Sequence, residues 1–378
     1  MTINIALIAN RLAQMRAILG YSLEDVVNSV GFDIERLKAL EAGEGKPTGD
    51  EILILADIYK CDFIYLVDEN LPSPAEKTDP LFRRHEASFS FEDRRAVQEF
   101  IFLCQRESIL ENLLEIQKDK IKFRFNPKGS FYKGHGWDAA RALRDKLNYK
   151  PNELPLDIYK DFRRLGIHIF RRRLNNKNIS GLYINDNIAG HCLLINYDED
   201  TYRQRFSVAH EVAHAIFDSE DNYVLSLKKD SSLIEIRANN FASSYLAPLD
   251  FIRQIPQLTR YNAQEWSNKM RISTQALAIA FLNANLINEQ EYNEIKSIRV
   301  DATSKIDPEI PKILTPKQQT RRQYMLEQGL STYYVDLCFD AYDKDLISSG
   351  YLIESLGIGY SDLGEVCTIY GRTIKRDF

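Results

Sequence analysis

Apolar residues recur at helical spacing from the start of the chain: Ile8, Leu12, Met15 and Leu19, then Leu23, Val26, Val27 and Val30. A turn at Gly31-Phe32 leads into Ile34, Leu37 and Leu40, and a loop from Gly43 to Thr48 leads to Ile52, Leu53, Leu55, Ala56 and Tyr59. Short helices joined by tight turns predict an all-α helix-turn-helix unit over residues 6–67, within a domain of residues 1–70. Residues 68–80 (DENLPSPAEKTDP) are polar with three prolines and read as a linker. Residues 89–122 then carry a long apolar helical face that fits either packing on the next unit or a homodimer interface. Together, residues 71–130 read as linker and connecting helices.

Residues 131–298 mix both periodicities. Pro155 to Leu165 reads as a helix and Gly166 to Arg172 as a strand. Leu182–Ile184 and Ala189–Ile195 read as two strands joined by Asn185-Asp186-Asn187. Phe206–Phe217 and Glu235–Ala242 have helical composition. Residues 299–317 contain Pro308, Pro311 and Pro316 and read as a second linker. Helical patterns follow at Tyr324–Leu330, Val335–Tyr342, Leu346–Leu356 and Leu363–Tyr370, so 299–378 is a linker with a helical tail. The fold class expected is α+β, with a small sheet confined to the middle of the chain.

Composition narrows the setting. The 378 residues are enough for more than one core, and 44% hydrophobic with 27% charged is ordinary for a soluble protein. No apolar run is long enough to span a membrane, no signal-peptide pattern opens the chain, and a cytoplasmic location is expected. Cys61, Cys104, Cys192, Cys338 and Cys367 are odd in number and form no C-x-x-C pair, which predicts reduced thiols and no thiolate zinc site. The net charge of −5 excludes a polyanion binder by bulk charge. Arg163, Arg164 and Arg171–Arg173 form a basic cluster, extended by Arg203 and Arg205. It reads as a solvated rim or as a docking patch for an acidic segment.

The chemistry concentrates at His210-Glu211-Val212-Ala213-His214. On a helix, residues four apart share a face, so His210 and His214 can offer two imidazoles to one metal ion, with Glu211 as general base. A catalytic site needs a third protein ligand and an open position. Glu235 is the candidate, with Asn239 four residues on to brace the site. Ala209 and Ala213, like Ala238 and Ala242, would let the two helices approach closely. Imidazole and carboxylate ligands suit one Zn2+ per chain. His191, on the predicted hairpin, is a candidate oxyanion stabiliser but reads first as a structural or surface histidine.

Arg205-Phe206-Ser207-Val208-Ala209 leading into this motif resembles the R-F-[ST]-x-A-H-E-x-x-H signature of ImmA/IrrE-type metallopeptidases. Glu235 to Pro248 (EIRANNFASSYLAP) resembles that family's E-x-x-A-N-x-F-A-x-x-L-L-x-P segment. Arg271 to Ile287 is similar to its following helix-turn-helix stretch. Trp137–Ala140 and Gly181–Asn196 fit its approach, so the resemblance spans roughly residues 130–290. It departs at Phe217-Asp218, where members often carry a histidine, and at Tyr245-Leu246. The resemblance implies a zincin-like domain with His210, His214 and Glu235 as zinc ligands and Glu211 as base. It also implies a strand before the motif helix that lies beside the cleft, where an extended substrate could pair, and a helix-turn-helix repressor as protein substrate.

The amino-terminal unit resembles the Xre/Cro repressors in Arg11-Leu12, Arg16, Gly20-Tyr21-Ser22-Leu23-Glu24, Gly31, Leu40-Glu41-x-Gly43, Pro47, Leu55-Ala56-Asp57 and Tyr65-Leu66. That implies DNA as a partner, through a recognition helix near Asp33–Leu40, with Arg36 and Lys38 as groove or backbone contacts and Arg11 and Arg16 as backbone contacts. Charge pulls the other way: residues 1–70 hold 6 Lys/Arg against 12 Asp/Glu, and phosphate contacts dominate such affinities. The combination predicts a transcriptional regulator with zinc-dependent endopeptidase activity on a repressor or on itself. The alternative is a DNA-binding regulator whose metallopeptidase-like domain is a sensor or dimerisation module.

Overall fold

The computed structural model describes residues 4–116, 120–228 and 231–374. They divide into two compact units, Met1–Arg106 with Leu174–Asn176, and Glu107–Arg173 with Lys177–Phe378.

The first unit is helical: α1 (Ile5–Leu19), α2 (Leu23–Val30), α3 (Ile34–Ala42), α4 (Gly49–Tyr59), α5 (Phe63–Val67), α6 (Thr78–Arg84) and the start of α7 (Phe91–Leu113). Caps set these boundaries. Ser22 with Asp25 and Thr48 with Glu51 form capping boxes at the starts of α2 and α4. Gly20, Gly31 and Gly43 end α1, α2 and α3 in the left-handed conformation that favours glycine. Of the periodic residues, Ile8, Leu12, Met15, Leu19, Val26, Leu37, Leu40 and Leu55 are buried, whereas Leu23, Val27, Val30 and Ile34 are only partly so and Leu53 is exposed.

Residues 68–80 are not an open linker. Ala75 and Thr78 are fully buried, with Leu81 and Phe82 beside them in sequence, so the unit runs on to Arg106. The backbone carbonyls of Asp68, Glu69 and Leu71 accept hydrogen bonds from Arg11, which ties this coil down. The helix expected to reach residue 122 ends at Leu113, with Glu115 just beyond it at positive φ.

The second unit holds a four-stranded sheet of β1 (His168–Arg172), β2 (Ile179–Asp186), β3 (Gly190–Asn196) and β4 (Tyr223–Leu227), in the order β1-β3-β2-β4. β1 runs parallel to β3, and β2 runs antiparallel to both its neighbours. The β2–β3 turn is held by Asp186, whose carboxylate accepts from the Ile188 and Ala189 amides. Around the sheet stand α8 (Tyr132–Lys146), α9 (Ile158–Arg163), α10 (Thr201–Phe217), α11 (Leu233–Leu246), α12 (Leu249–Ile252), α13 (Ala263–Met270), α14 (Thr274–Asn283) and α15 (Glu289–Lys296). α10 packs on β2, β3 and α11, and α8 packs on α11. Gly136 permits the last approach, since a Cβ there would lie 2.5 Å from the Arg237 carbonyl oxygen.

The tail forms α16 (Pro316–Glu327), α17 (Thr332–Asp343), α18 (Ser349–Leu356) and α19 (Leu363–Tyr370); the last three lie close to the predicted helices, whereas α16 lies mostly before the predicted Tyr324–Leu330. Residues 299–317, expected as a linker, are instead anchored: Asp307 pairs with Arg171 at 2.7 Å and Glu309 with Arg322 at 3.3 Å. Among the described residues no helix is long and apolar enough to cross a membrane.

Candidate metal centre

α10 begins at Asp200, whose side chain caps the Tyr202 amide, and it buries nearly its whole length because sheet and helices cover it. The 3.6-residue period places His210 above His214 on one face. α11 crosses this face and brings Glu235, in its own first turn, to both rings. His210 Nε2 lies 2.9 Å from Glu235 Oε2, His214 Nε2 lies 3.2 Å from Glu235 Oε1, and the two Nε2 atoms are 3.2 Å apart. All three side chains are buried. The small-residue stripes contribute as expected: Ala209, Ala213, Ala238 and Ala242 sit in one buried cluster.

The outer edge of each ring faces an oxygen. His210 Nδ1 is 3.2 Å from Asn239 Oδ1, and His214 Nδ1 is 2.8 Å from Asp218 Oδ2. These acceptors place a hydrogen on each Nδ1 and leave both Nε2 atoms for the centre. Three donors then converge, an arrangement that needs either a shared proton or a metal cation among them. The titration shifts express that demand. Burial lowers the pKa of His210, whereas at His214 the bonds to Asp218 and Glu235 outweigh burial and hold the ring up at about 10. The two imidazoles hold Glu235 down at about 2 against the opposing effect of burial.

The donor set fits a small divalent ion. A tetrahedral site with ligands roughly 2.1 Å from the metal has edges of about 3.4 Å, close to the spacings found. Asp218, at the carboxyl-terminal cap of α10, is a partner the sequence reading passed over as a mere departure. Its spacing of four from His214 was the available signal. Arg237 pairs with the other oxygen of Asp218, and its guanidinium lies 4.3 Å over the Phe217 ring.

Glu211 is fully buried, and among the described residues neither carboxylate oxygen has a hydrogen-bond partner within normal geometry, although Ser226 lies near enough to act on it. Burial pushes its carboxyl up to about 8, with His214 pulling the other way. Gly181 on β2 roofs it: a Cβ at this position would overlap the Glu211 carboxylate. A general base needs such a poised, unpaired carboxylate.

A second buried trio, Glu107, Glu111 and His168, also converges. It already contains its own cation, because Lys120 donates to Glu111 at 2.6 Å. Tyr333 donates to the same oxygen, and Glu107 holds His168 at 2.8 Å.

Other expectations are corrected. Of the three strands before the motif helix, β2 and β3 lie inside the sheet and cannot pair with an added strand, whereas β1 stands at one edge. The edge strand beside β2 is β4, which follows the motif helix in sequence. His191 Nδ1 is 2.9 Å from the Tyr183 hydroxyl, a structural bond. The basic cluster is largely internal: Arg163, Arg171, Arg172 and Arg205 are buried and bonded within the unit.

In the first unit, Arg11 is buried and donates to four backbone carbonyls, so it is no phosphate contact. Arg16 is paired with Glu41 and Arg36 with Glu51, each at 2.7 Å. Lys38 is exposed and pairs only with its neighbour Glu35 among the described residues.

Residues 162–282 match the IrrE N-terminal-like domain family. This is a family of M78 peptidases, and the matched stretch is similar to a metallopeptidase-like domain. It begins in α9, ends in α14, and contains His210, Glu211, His214, Asp218, Glu235 and Asn239. Trp137 and α8, which the sequence reading included, fall outside the match. No curated protein matches the chain.

Proposed function

We propose that the IrrE-like region is a zinc-dependent endopeptidase that serves gene regulation. The observation that carries this reading is the pairing of a convergent His210–His214–Glu235 donor set with a buried, unpaired Glu211 one residue along the helix. Bound there, a zinc ion would polarise the scissile carbonyl and acidify water. Glu211 would accept the proton of the attacking water on its carboxylate and return it to the leaving amine. Asp218 and Asn239 orient the imidazoles, and the outer edge of β4, paired with no other described strand, can hold an extended substrate by backbone hydrogen bonds.

The first unit supports the regulatory part of the proposal. Its α2 and α3, joined through Gly31, follow the Xre/Cro-like pattern, and we read it as a DNA-binding domain. With Arg11, Arg16 and Arg36 internally bonded, Lys38 and Lys46 remain as exposed cations near α3, so affinity should be low and its dependence on salt shallow. The proposed substrate is a helix-turn-helix repressor, or the chain's own first unit.

The test is incubation of wild type and Glu211→Gln with candidate repressors and zinc. Wild type should cleave once per substrate, and the variant should retain zinc without cleaving. Cleavage that survives Glu211→Gln, or a protein that takes up no divalent ion, would overturn the proposal. A gel shift on the chain's own promoter at low salt tests the regulatory part, which the absence of any shift at micromolar protein would refute.

A further inference from the structure

A groove of about 780 Å³ runs beside the metal centre, between α8, α10, α11 and the segment around residues 272–305. It reaches the centre's second layer, because Asn239, bonded to His210, and Phe206, one turn before His210, both line it. A second cavity of about 490 Å³ continues it, sharing Trp137, Asn240, Ser243 and Asn283. Along α11 the joined furrow extends from Asn239 to Ala247. That distance is about 12 Å, room for roughly four residues of extended chain.

The lining is cationic, in a chain whose net charge is −5. Lys133, Arg203 and Arg299 are exposed. Neither Lys133 nor Arg299 has a carboxylate partner among the described residues, and Arg203 comes only within 3.7 Å of Glu199. Lys305 and Asp200 pair with each other and cancel. Between the cations stand two aromatic rings, Phe206 beneath the Arg203 guanidinium and Trp137, which is 43% exposed. An exposed tryptophan in a groove is an apolar anchor awaiting a partner.

We propose that this groove selects the peptide substrate, binding an extended segment in which an apolar side chain is flanked by carboxylates. The apolar residue would pack on Trp137 and Phe206, and the flanking carboxylates would meet Lys133, Arg203 and Arg299. The proposal rests on the peptidase reading for its meaning, but binding can be measured without catalysis.

The experiment uses the full-length Glu211→Gln chain loaded with zinc and three fluorescein-labelled octapeptides, each with a central leucine flanked by glutamate, glutamine or lysine. Fluorescence anisotropy should show the glutamate peptide binding about ten-fold tighter than the glutamine peptide, the sum of two or three exposed ion pairs. Reversing the groove charge with Lys133→Glu and Arg203→Glu should switch the preference to the lysine peptide. That gain of binding cannot come from misfolding.

Equal affinity for the glutamate and glutamine peptides would overturn the proposal. So would displacement of the glutamate peptide by a deoxythymidine decamer that binds more tightly, since the groove would then be a nucleic-acid channel. The two readings fail separately. A charge preference in a chain whose wild type never cleaves would sink the peptidase and leave the groove, whereas cleavage without a charge preference would do the reverse.

Discussion

Asp218 should control metal affinity although it touches no metal. Its Oδ2 sits 2.8 Å from His214 Nδ1, which fixes the ring's orientation and adds electron density to Nε2 at the centre. Removing such a partner typically weakens metal binding by about 10- to 100-fold, or roughly 1.4 to 2.7 kcal/mol. Asp218→Asn keeps an oxygen to accept the Nδ1 hydrogen but loses the charge, so its loss should fall near the lower figure. Asp218→Ala loses both and should approach the upper one.

Arg237 complicates the alanine variant. It is only 7% exposed, and without Asp218 it becomes a buried charge lacking its carboxylate, a loss of about 3–5 kcal/mol of stability. Asp218→Ala with Arg237→Gln removes that burden and isolates the effect on His214. The assay is competition for zinc against a chromophoric chelator, with circular dichroism to verify the fold. Asn239→Ala, which breaks a longer and neutral contact of 3.2 Å to His210, should cost less than Asp218→Asn. A zinc affinity within two-fold of wild type in folded Asp218→Asn, or a larger loss from Asn239→Ala, would refute the reasoning.

Two further outcomes follow from the geometry. Gly181→Ala places a methyl group where the Glu211 carboxylate lies; it should lower stability by about 1–3 kcal/mol and, by displacing the base, slow cleavage roughly 100-fold while zinc stays bound, and wild-type turnover in this variant would dismiss the close approach. In the first unit, the Arg36 guanidinium and the capping bonds hold the Glu51 carboxyl down at about 2 against an ordinary value of 4.5; because the folded value is the lower one, this stabilisation is present above pH 4.5 and is lost as pH falls toward 2. Amide exchange of α4 should therefore lose protection across that window more in wild type than in Glu51→Gln, and identical profiles in the two would count against the pair.

The convergence of the motif side chains was legible in the sequence because it is local. His210 and His214 are four apart, Glu235 and Asn239 are four apart, and alanines mark where the two helices touch, so periodicity alone brings each pair to one face. The hairpin and the last three tail helices were legible for the same reason. Strand order was not, because β4 comes after α10 yet inserts beside β2, and nothing in its five residues names that neighbour. The arginines were misread for a related reason. A run such as Arg171-Arg172-Arg173 looks solvated until its partners are known, and Asp307, which neutralises Arg171, lies 136 residues away.

Buried arginines also hold coil segments in place. Coil has backbone carbonyls that no helix or sheet consumes, and each must find a donor if it is buried. A guanidinium carries five donors in a rigid fork and can satisfy several at once. Arg11 does this for the coil after α5. Arg144 of α8 donates to the carbonyls of Lys150 and Glu153, and to Tyr245 near the end of α11. Arg205 of α10 binds the carbonyls of Pro155, Leu156 and Arg271. The last two brace the helices that carry the metal donors, with Arg205 five residues before His210 on the same helix. A donor set that must hold its spacing to within a few tenths of an ångström needs helices that do not slide. Here Arg144 and Arg205 tie α8, α10 and α11 to the coil segments beside them, bonds that oppose such sliding.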